Sequence, residues 1–539
     1  MTDRGALLDK LMKGNTFDLL VIGGGATGCG IALDAASRGL QVALAEQGDF
    51  ACGTSGRSTK LLHGGVRYLE AALLHFDRVQ FNLVRDALHE RGVLLGIAPH
   101  LCRRLTLATP LYSCAEVPYV FAGLKIYDLL AGSAGLGSSR FLGRAEMLAR
   151  FPMLKGEGLK GGVLYYDGQF NDARMNLALA LTAIGEGAAV ANHLEVVGFL
   201  NRDGRINGAR VRERFSGRQW EIRARCVVNA CGPSADRLRL MDDPDAAPLL
   251  QVSSGIHIVL PRRFAPPDGA GITIPRTEDG RVLFILPWLG GCLVGTTDEP
   301  ASPCANPAVT EHDVDYLLRH VGRYFDLGLD RCEIRAAWAG LRPLVRDLSA
   351  ADTAKLARDH VISRSPSGLI TIAGGKWTTY RKMALDTVDY AVRVAGLAPA
   401  RQCRTDRIIL WGGEGFRPDA APALASEYGI SPESAWHLHR SYGDQAPRVA
   451  ELCSGPFHEP LLPGHPYLKG ELLYALRREF ALQPADFLVR RIPLALLDNR
   501  GARAAAPFVL ETMARELGWD EGRLAKERQE LDLRLSLAL

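Results

Sequence analysis

The chain has 539 residues, room for two to four domains at about 100–200 residues each and far too many for a mini-protein held together by disulfides or metal. Hydrophobic residues make up 47% and charged residues 23%, which excludes a disordered chain and a polytopic membrane protein, and a net charge of +4 is too small at this size for a nucleic-acid coat. The 11 cysteines form no Cys-x-x-Cys pair and are odd in number, so they read as reduced thiols in a cytoplasmic protein.

The opening segment MTDRGALLDKLMKGNTFD carries charges every few residues and lacks the apolar core of an export signal. Phe17–Ile22 (FDLLVI) predicts a strand buried on both faces, followed by Gly23-Gly24-Gly25-Ala26-Thr27-Gly28 and a helix with Ile31, Ala32, Ala35 and Ala36 on its apolar face. Arg38-Gly39 ends that helix, and QVALA returns as a second strand finishing at Glu46. Val117–Leu136 is the most apolar long stretch, but Lys125 and Asp128 interrupt it, and a bilayer span wants about 20 residues nearly free of charge.

A helix is expected from Asp172 to Glu186, then a three-stranded meander over 193–200, 205–212 and 219–223. Arg225–Ala230 (RCVVNA), leading into Cys231-Gly232-Pro233, predicts a late strand of the first sheet, which makes the nucleotide-binding domain discontinuous. Strands at Gly255–Leu260, Val282–Leu286 and Cys292–Thr296 suggest a second, substrate-side sheet. Leu369–Ala373 precedes the turn Gly374-Gly375 and a helix from about Thr378. Beyond residue 400, helical patterns such as Glu471–Glu479 and Ala505–Leu517 dominate between loops at Pro418, Pro422 and Pro432. The fold class is therefore α/β: a Rossmann-like dinucleotide domain over 16–400, with an inserted β-rich substrate region at about 80–170 and 240–365, and an all-helical domain over 401–539. No repeat and no EF-hand loop is present, and His437 and His439 lack partners at metal-ligand spacing.

A diphosphate needs backbone N–H groups at close range and the positive end of a helix, hence glycine where a Cβ would collide. Gly23, Gly24, Gly25 and Gly28 supply that turn, and Glu46, followed by Gln47, stands where a carboxylate takes the hydroxyl hydrogens of an adenosine ribose. These features do not separate NAD from FAD. The segment CGTSGRSTKLLHGGVRY over Cys52–Tyr68 suits a longer dinucleotide: Ser55, Ser58, Thr59 and Lys60 for pyrophosphate and ribitol, with Thr54, Leu61 and His63 beside them. Gly64 and Gly65 would let main chain lie against a flat ring.

The stretches DLLVIGGGATGCGIALDAASRGLQVALAE, STKLLHGGVRYLE, VVNACGP and IAGGKWTTYRKMA, in this order, resemble the FAD-dependent glycerol-3-phosphate dehydrogenases over nearly the whole chain. The resemblance implies noncovalent FAD, although His63 leaves attachment open, and oxidation of sn-glycerol 3-phosphate to dihydroxyacetone phosphate with electrons passed to membrane quinone. It implies His257 in GIHIVL as base, Arg342 in GLRPL and Arg358 in LARDH as phosphate clamps, and Arg67 and Tyr68 beside them. Lys376, with Gly374, Gly375, the N-terminus at Thr378 and Gly232, would face the flavin and stabilise its reduced form. Two departures stand out: Arg57 adds a cation where small residues are expected, and Trp377 replaces a commoner leucine. Alternatives are an oxidase that makes peroxide from oxygen, and a non-catalytic or RNA-modifying flavoprotein of the same fold. Reaching quinone implies peripheral docking on the anionic inner face of the cytoplasmic membrane, for which Arg103-Arg104 through Lys125 offers Val117, Tyr119, Val120, Phe121, Leu124 and Ile126. No nucleic-acid partner is expected, and a homodimer is left open.

Overall fold

The computed structural model describes residues 3–66, 69, 77–275, 277–278, 280–326, 328–346 and 360–536. Arg67, Tyr68 and Arg358 lie outside the described residues.

The apolar, β-branched run Phe17–Ile22 sits at the centre of the first sheet, in parallel register with Val42–Ala45 on one side and Gln219–Asn229 on the other. The sheet continues through Ala189–Ala191 at one end and through Ile370–Gly374 and His360–Arg364 at the other. Helices Ala26–Ser37, Asp172–Gly185 and Tyr380–Ala395 pack together over one face, burying Ile31, Ala32, Leu179, Val388 and their neighbours. The expected meander is present as Leu194–Arg202, Arg205–Glu213 and the first half of Gln219–Asn229. Sequence reading split that last strand in two. It is continuous because Gln219–Arg223 pair with the meander while Ala224–Asn229 pair with Phe17–Ile22.

Among the described residues a second, 10-stranded sheet takes nine strands from the two inserted regions and one, Leu61–Leu62, from the loop after the second strand of the first sheet. Cys102–Leu111, Arg140–Gly143 and Gly161–Phe170 come from the first of them, and Leu250–Pro261, Gly271–Ile274, Leu283–Trp288, Gly291–Gly295 and Ala336–Val345 from the other. Along Leu250–Pro261, Ile256 and Ile258 face the helix Glu311–Tyr324, while His257 and Val259 face the opposite way, beside Trp338. The period-two alternation of a strand thus sets a polar imidazole on one face and a dry core on the other.

The segment from Arg103 to Lys125 is not one docking element. Residues 103–111 form a central strand of this sheet, where Arg103 donates to Gln169 and Arg104 lies over the Tyr166 ring; only Glu116–Ala131 is helical. Leu124 is 1% exposed, and Val117, Val120 and Phe121 pack against the core, as does Ile126. Part of the apolar face that the spacing promised is spent on the core: Leu124 is fully buried there, while Val117, Val120, Phe121 and Ile126 are half-buried.

The C-terminal region is helical, including Ala421–Tyr428, Pro432–Tyr442, Gly470–Arg478, Asn499–Leu517 and Glu521–Ser536. Asn499–Leu517 starts earlier than the pattern at Ala505 suggests, because the Asp498 side chain caps it by accepting from the Gly501 N–H at 2.9 Å.

Candidate active and cofactor site

A cavity of about 510 Å³ runs along the ends of the first sheet's parallel strands, where open α/β sheets bind ligands. Gly23, Gly25, Glu46, Gln47, Thr54, Ser55, Gly232, Gly374, Gly375 and Lys376 all line it. The glycine turn is required sterically: a Cβ on Gly28 would meet the Gly23 carbonyl oxygen at 1.9 Å. Gly23 itself has φ +112°, and its Cβ would meet the Ala230 carbonyl oxygen at 2.6 Å. Glu46 is buried and accepts from the Gly24 N–H at 2.6 Å and the Gly48 N–H at 2.7 Å. Burial raises its pKa, and the two N–H donors only partly offset that. Ser55 Oγ accepts from Ala26 N–H at 2.9 Å, in the first turn of the helix. Trp377, the unexpected residue, donates from its indole to the Ser55 carbonyl at 2.9 Å and so ties the loop to the Gly374–Lys376 turn. That turn enters a 3₁₀ turn over Trp377–Thr379, with the Thr379 N–H on the Lys376 carbonyl, and the α-helix begins only at Tyr380. Gly24, Gly28 and Thr378 support the wall without lining it.

The middle of the loop does not line this cavity: Ser58, Thr59 and Lys60, read as ligands for pyrophosphate and ribitol, are engaged within the protein instead. Lys60, at φ +63°, is buried with its ammonium on Asp172 at 2.6 and 2.7 Å and on the Gly56 carbonyl at 2.9 Å. Ser58 donates to Asp172 from both N–H and Oγ. A buried ammonium needs a paired anion, and Asp172 at the start of its helix meets that need within the protein. Thr59 Oγ1 instead pairs with His257 Nε2 at 2.9 Å. Leu61 is in a two-residue strand, His63 lies near Phe284, and Gly65 has φ +85°. Gly64 donates to the Tyr127 hydroxyl at 2.7 Å, which in turn donates to Asp167. None of these four lines the cavity.

His257 and Arg342 lie on neighbouring antiparallel strands, with Ser253 opposite Arg342 and Trp338 opposite His257. Two glycines make room for them: a Cβ on Gly295 would meet the imidazole at 2.3 Å, and one on Gly255 the Arg342 guanidinium at 2.3 Å. His257 is 3% exposed and stacks on Trp338, with ring centroids 4.3 Å apart. Burial first, then the charges of Lys60 and Arg342, hold it well below the usual histidine range, so it is neutral. Arg342 donates to Asp298 at 2.7 Å, Thr297 O at 2.8 Å and Thr296 Oγ1 at 3.1 Å. Neither residue lines the cavity, although Leu341 and Pro343 do.

Residues 18–381 match the FAD dependent oxidoreductase family, and residues 403–524 match the C-terminal domain of alpha-glycerophosphate oxidase. The probable mitochondrial glycerol-3-phosphate dehydrogenase of Caenorhabditis elegans is 46% identical over 540 residues, 98% of this chain and 74% of that protein. The chain belongs to the FAD-dependent glycerol-3-phosphate dehydrogenase family. The mitochondrial enzyme of Mus musculus is also 46% identical, over 97% of this chain and 74% of its own. The structure of the glycerol-3-phosphate dehydrogenase from Bacillus halodurans complexed with FAD superposes with a TM-score of 0.81 at 31% identity, covering 99% of this chain and 97% of that one. FAD is accordingly the cofactor, and the glycine cradle, buried Glu46 and extended cavity fit it. Sequence reasoning missed several cavity residues: Arg57, seen only as a departure, and Arg214, Arg237, Gln483, Arg490 and Arg534, which no local motif marks.

Proposed function

We propose that this chain oxidises sn-glycerol 3-phosphate to dihydroxyacetone phosphate and passes the electrons to a membrane quinone. The observation that carries the reaction is 46% identity over nearly the whole chain to glycerol-3-phosphate dehydrogenases, in a fold with a cavity built for FAD. Bound FAD supplies the two-electron acceptor for the substrate's secondary alcohol. The chain must then take the hydroxyl proton, hold the phosphate and steady negative charge at the ring. His257 is our proton acceptor: it is neutral, and a phosphate dianion beside Arg342 would offset the positive field that depresses its pKa. Arg342, oriented by Asp298, is the phosphate clamp, with Arg358, Arg67 and Tyr68 as its partners. Lys376, on the cavity wall between Gly375 and Trp377, supplies the positive charge. We assign 16–400 to the catalytic part, with insertions at about 80–170 and 240–365 that supply nine of the second sheet's strands, and 401–539 to the helical part.

The non-catalytic alternative does not survive the family assignment. An oxidase reading draws support from the C-terminal match to alpha-glycerophosphate oxidase. Anaerobic addition of glycerol 3-phosphate should bleach the flavin bands, with rapid recovery on adding quinone; recovery with oxygen and no response to quinone would favour the oxidase. FAD is held noncovalently in this reading, so acid precipitation should leave the yellow colour in the supernatant, and colour locked in the washed pellet would point to attachment through His63.

Among the described residues no helix is long and apolar enough to cross a membrane. We place the chain peripherally on the anionic inner face of the cytoplasmic membrane, docking through Tyr119, 48% exposed, and Leu129, 79% exposed, on Glu116–Ala131, with Val79 on Arg78–Ile97, the helix packed beside it. Liposome sedimentation of Tyr119→Asp and Leu129→Asp variants should show weakened binding, and unchanged binding would remove this face from consideration.

A further inference from the structure

Three guanidiniums converge on the cavity from separate parts of the chain: Arg57 from the loop after the second strand, Arg490 from the π-helical turn Asp486–Arg491, and Arg534 from the final helix, Glu521–Ser536. Arg490 is fully engaged, with Asp49 at 2.7 Å and Asp486 at 2.6 Å. Among the described residues, Arg57 reaches only a neutral acceptor, Asn306 Oδ1 at 3.1 Å, and Arg534 has no ion pair or hydrogen bond. Burial, together with repulsion from Arg490 and Arg534, brings Arg57 down to about 10, and burial and Arg490 also depress Arg534. Cations gathered in a low-dielectric wall cost stability unless an anion joins them.

The location narrows the anion. Arg57 is two residues from Ser55, whose hydroxyl caps the Ala26 N–H at the helix N-terminus. Cys52, close enough to feel Arg57, Arg490 and Arg534, has its sulfur 3.7 Å from Glu46 Oε1. In a dinucleotide the group that adjoins both the ribose acid and the helix N-terminus is the diphosphate. Planar guanidiniums bind its oxygens in pairs, a geometry that lysine does not reproduce. The other arginines of the wall are committed elsewhere: Arg237 to Glu195 and Gln47, Arg214 to the Gln47 carbonyl.

We propose that Arg57 and Arg534 clamp the outer side of the FAD diphosphate, which makes the last helix of the C-terminal region part of the cofactor site. The proposal rests on reading this cavity as the FAD site. The helical region then takes a direct part in holding the cofactor, closing the cavity from a position more than four hundred residues along the chain from the glycine turn.

The test is the rate at which diluted holoenzyme releases FAD, followed by flavin fluorescence over a series of salt concentrations. Arg534→Gln and Arg57→Gln should release FAD at least ten-fold faster than the parent and show a shallower salt dependence, because fewer phosphate charges remain paired. Arg534→Lys should fall between them, and Arg528→Gln, an exposed arginine of the same helix, should match the parent. Faster release with an unchanged salt dependence would mean a structural role only and would overturn the clamp. Unchanged release, with inorganic phosphate raising the thermal midpoint of the parent but not of the Gln variants, would assign the cluster to a free phosphoester and overturn it as well. Gly25→Val tests the underlying reading, since Gly25 lines the cavity and a Cβ there meets only Ser55, its Oγ at 3.0 Å and its Cβ at 3.9 Å. A Gly25→Val protein with full FAD would sink the cavity assignment, whereas a colourless one beside a tight Arg534→Gln holoenzyme would sink the clamp alone.

Discussion

His257 carries the chemistry we assign to a single side chain, and its surroundings set a measurable signature. Removing it should slow anaerobic flavin reduction by about 10²–10⁴-fold at saturating substrate, the usual range for loss of a general base, while FAD stays bound. Because burial, Lys60 and Arg342 hold its pKa well below the ordinary value, kcat/KM should show no acid limb near pH 6.5 belonging to the free enzyme. An inflection there that vanished in His257→Gln would contradict the structure's electrostatics. Arg342→Lys keeps the charge and loses the fork that Asp298 orients. A rise in KM of about ten-fold or more, corresponding to about 1.5–3 kcal/mol for charged hydrogen bonds, is expected with FAD content unchanged.

Between residues and domains, the loop from Cys52 to Leu62 shows how one element serves two sites. Its first part lines the cavity, and its second part is anchored by Asp172 at the start of a buried helix. Asp172→Ala would strand the Lys60 ammonium in the core and free Ser58, so a loss of about 3–5 kcal/mol in urea denaturation is expected. FAD should also be held less firmly, since Thr54 and Ser55 sit on the same loop.

Over the whole molecule, a buried ionic cluster joins the helical region to the dinucleotide fold. Asp49, next to the Glu46 turn, accepts from Arg490 at 2.7 Å and from Arg491 at 2.7 and 2.9 Å, while His193 meets Asp486 at 2.9 Å. Burial works to raise the Asp49 pKa, but Arg491 and Arg490 outweigh it and keep the group ionised. Ligand atoms of Asp49, His193 and Asp486 lie within 4.8 Å of one another, but the two acids are already neutralised by these guanidiniums. Asp49→Ala should therefore cost about 3–5 kcal/mol and loosen the two regions together. Acid should weaken the fold for a different reason. His100, buried and held down to about 3, and His257 are neutral in the folded protein but protonate near 6.5 when unfolded. Their contribution is complete above pH 6.5 and is lost as pH falls toward their folded values; for His100 that amounts to about 2 kcal/mol by pH 5. Asp167, raised by burial to about 6, works in the opposite sense and recovers about 1.4 kcal/mol over the same window. Each of the two histidines therefore pulls the thermal midpoint down between pH 7 and 5, and the double variant His100→Gln, His257→Gln should flatten that decline.

By itself the sequence determined the elements whose cause is local. The strand Phe17–Ile22, the steric need for Gly23 and Gly28, the acid at Glu46 and the turn at Gly374-Gly375 each follow from a neighbouring stretch of chain, and the structure brings them to one cavity. Ser58, Thr59 and Lys60 looked like ligands for the same reason, as polar residues in a glycine-rich loop. What local pattern does not contain is the partner that claims a polar group. Asp172 claims Lys60 and Ser58 across more than a hundred residues, and the second sheet claims Leu124. Arg57, Arg490 and Arg534 become one wall only when the final helix closes on the first loop. Charge and burial act through space at a few ångströms, whereas sequence spacing reports only neighbours on one strand or one helical turn. Tertiary structure therefore decided which cations were already neutralised and which remained to face an anion.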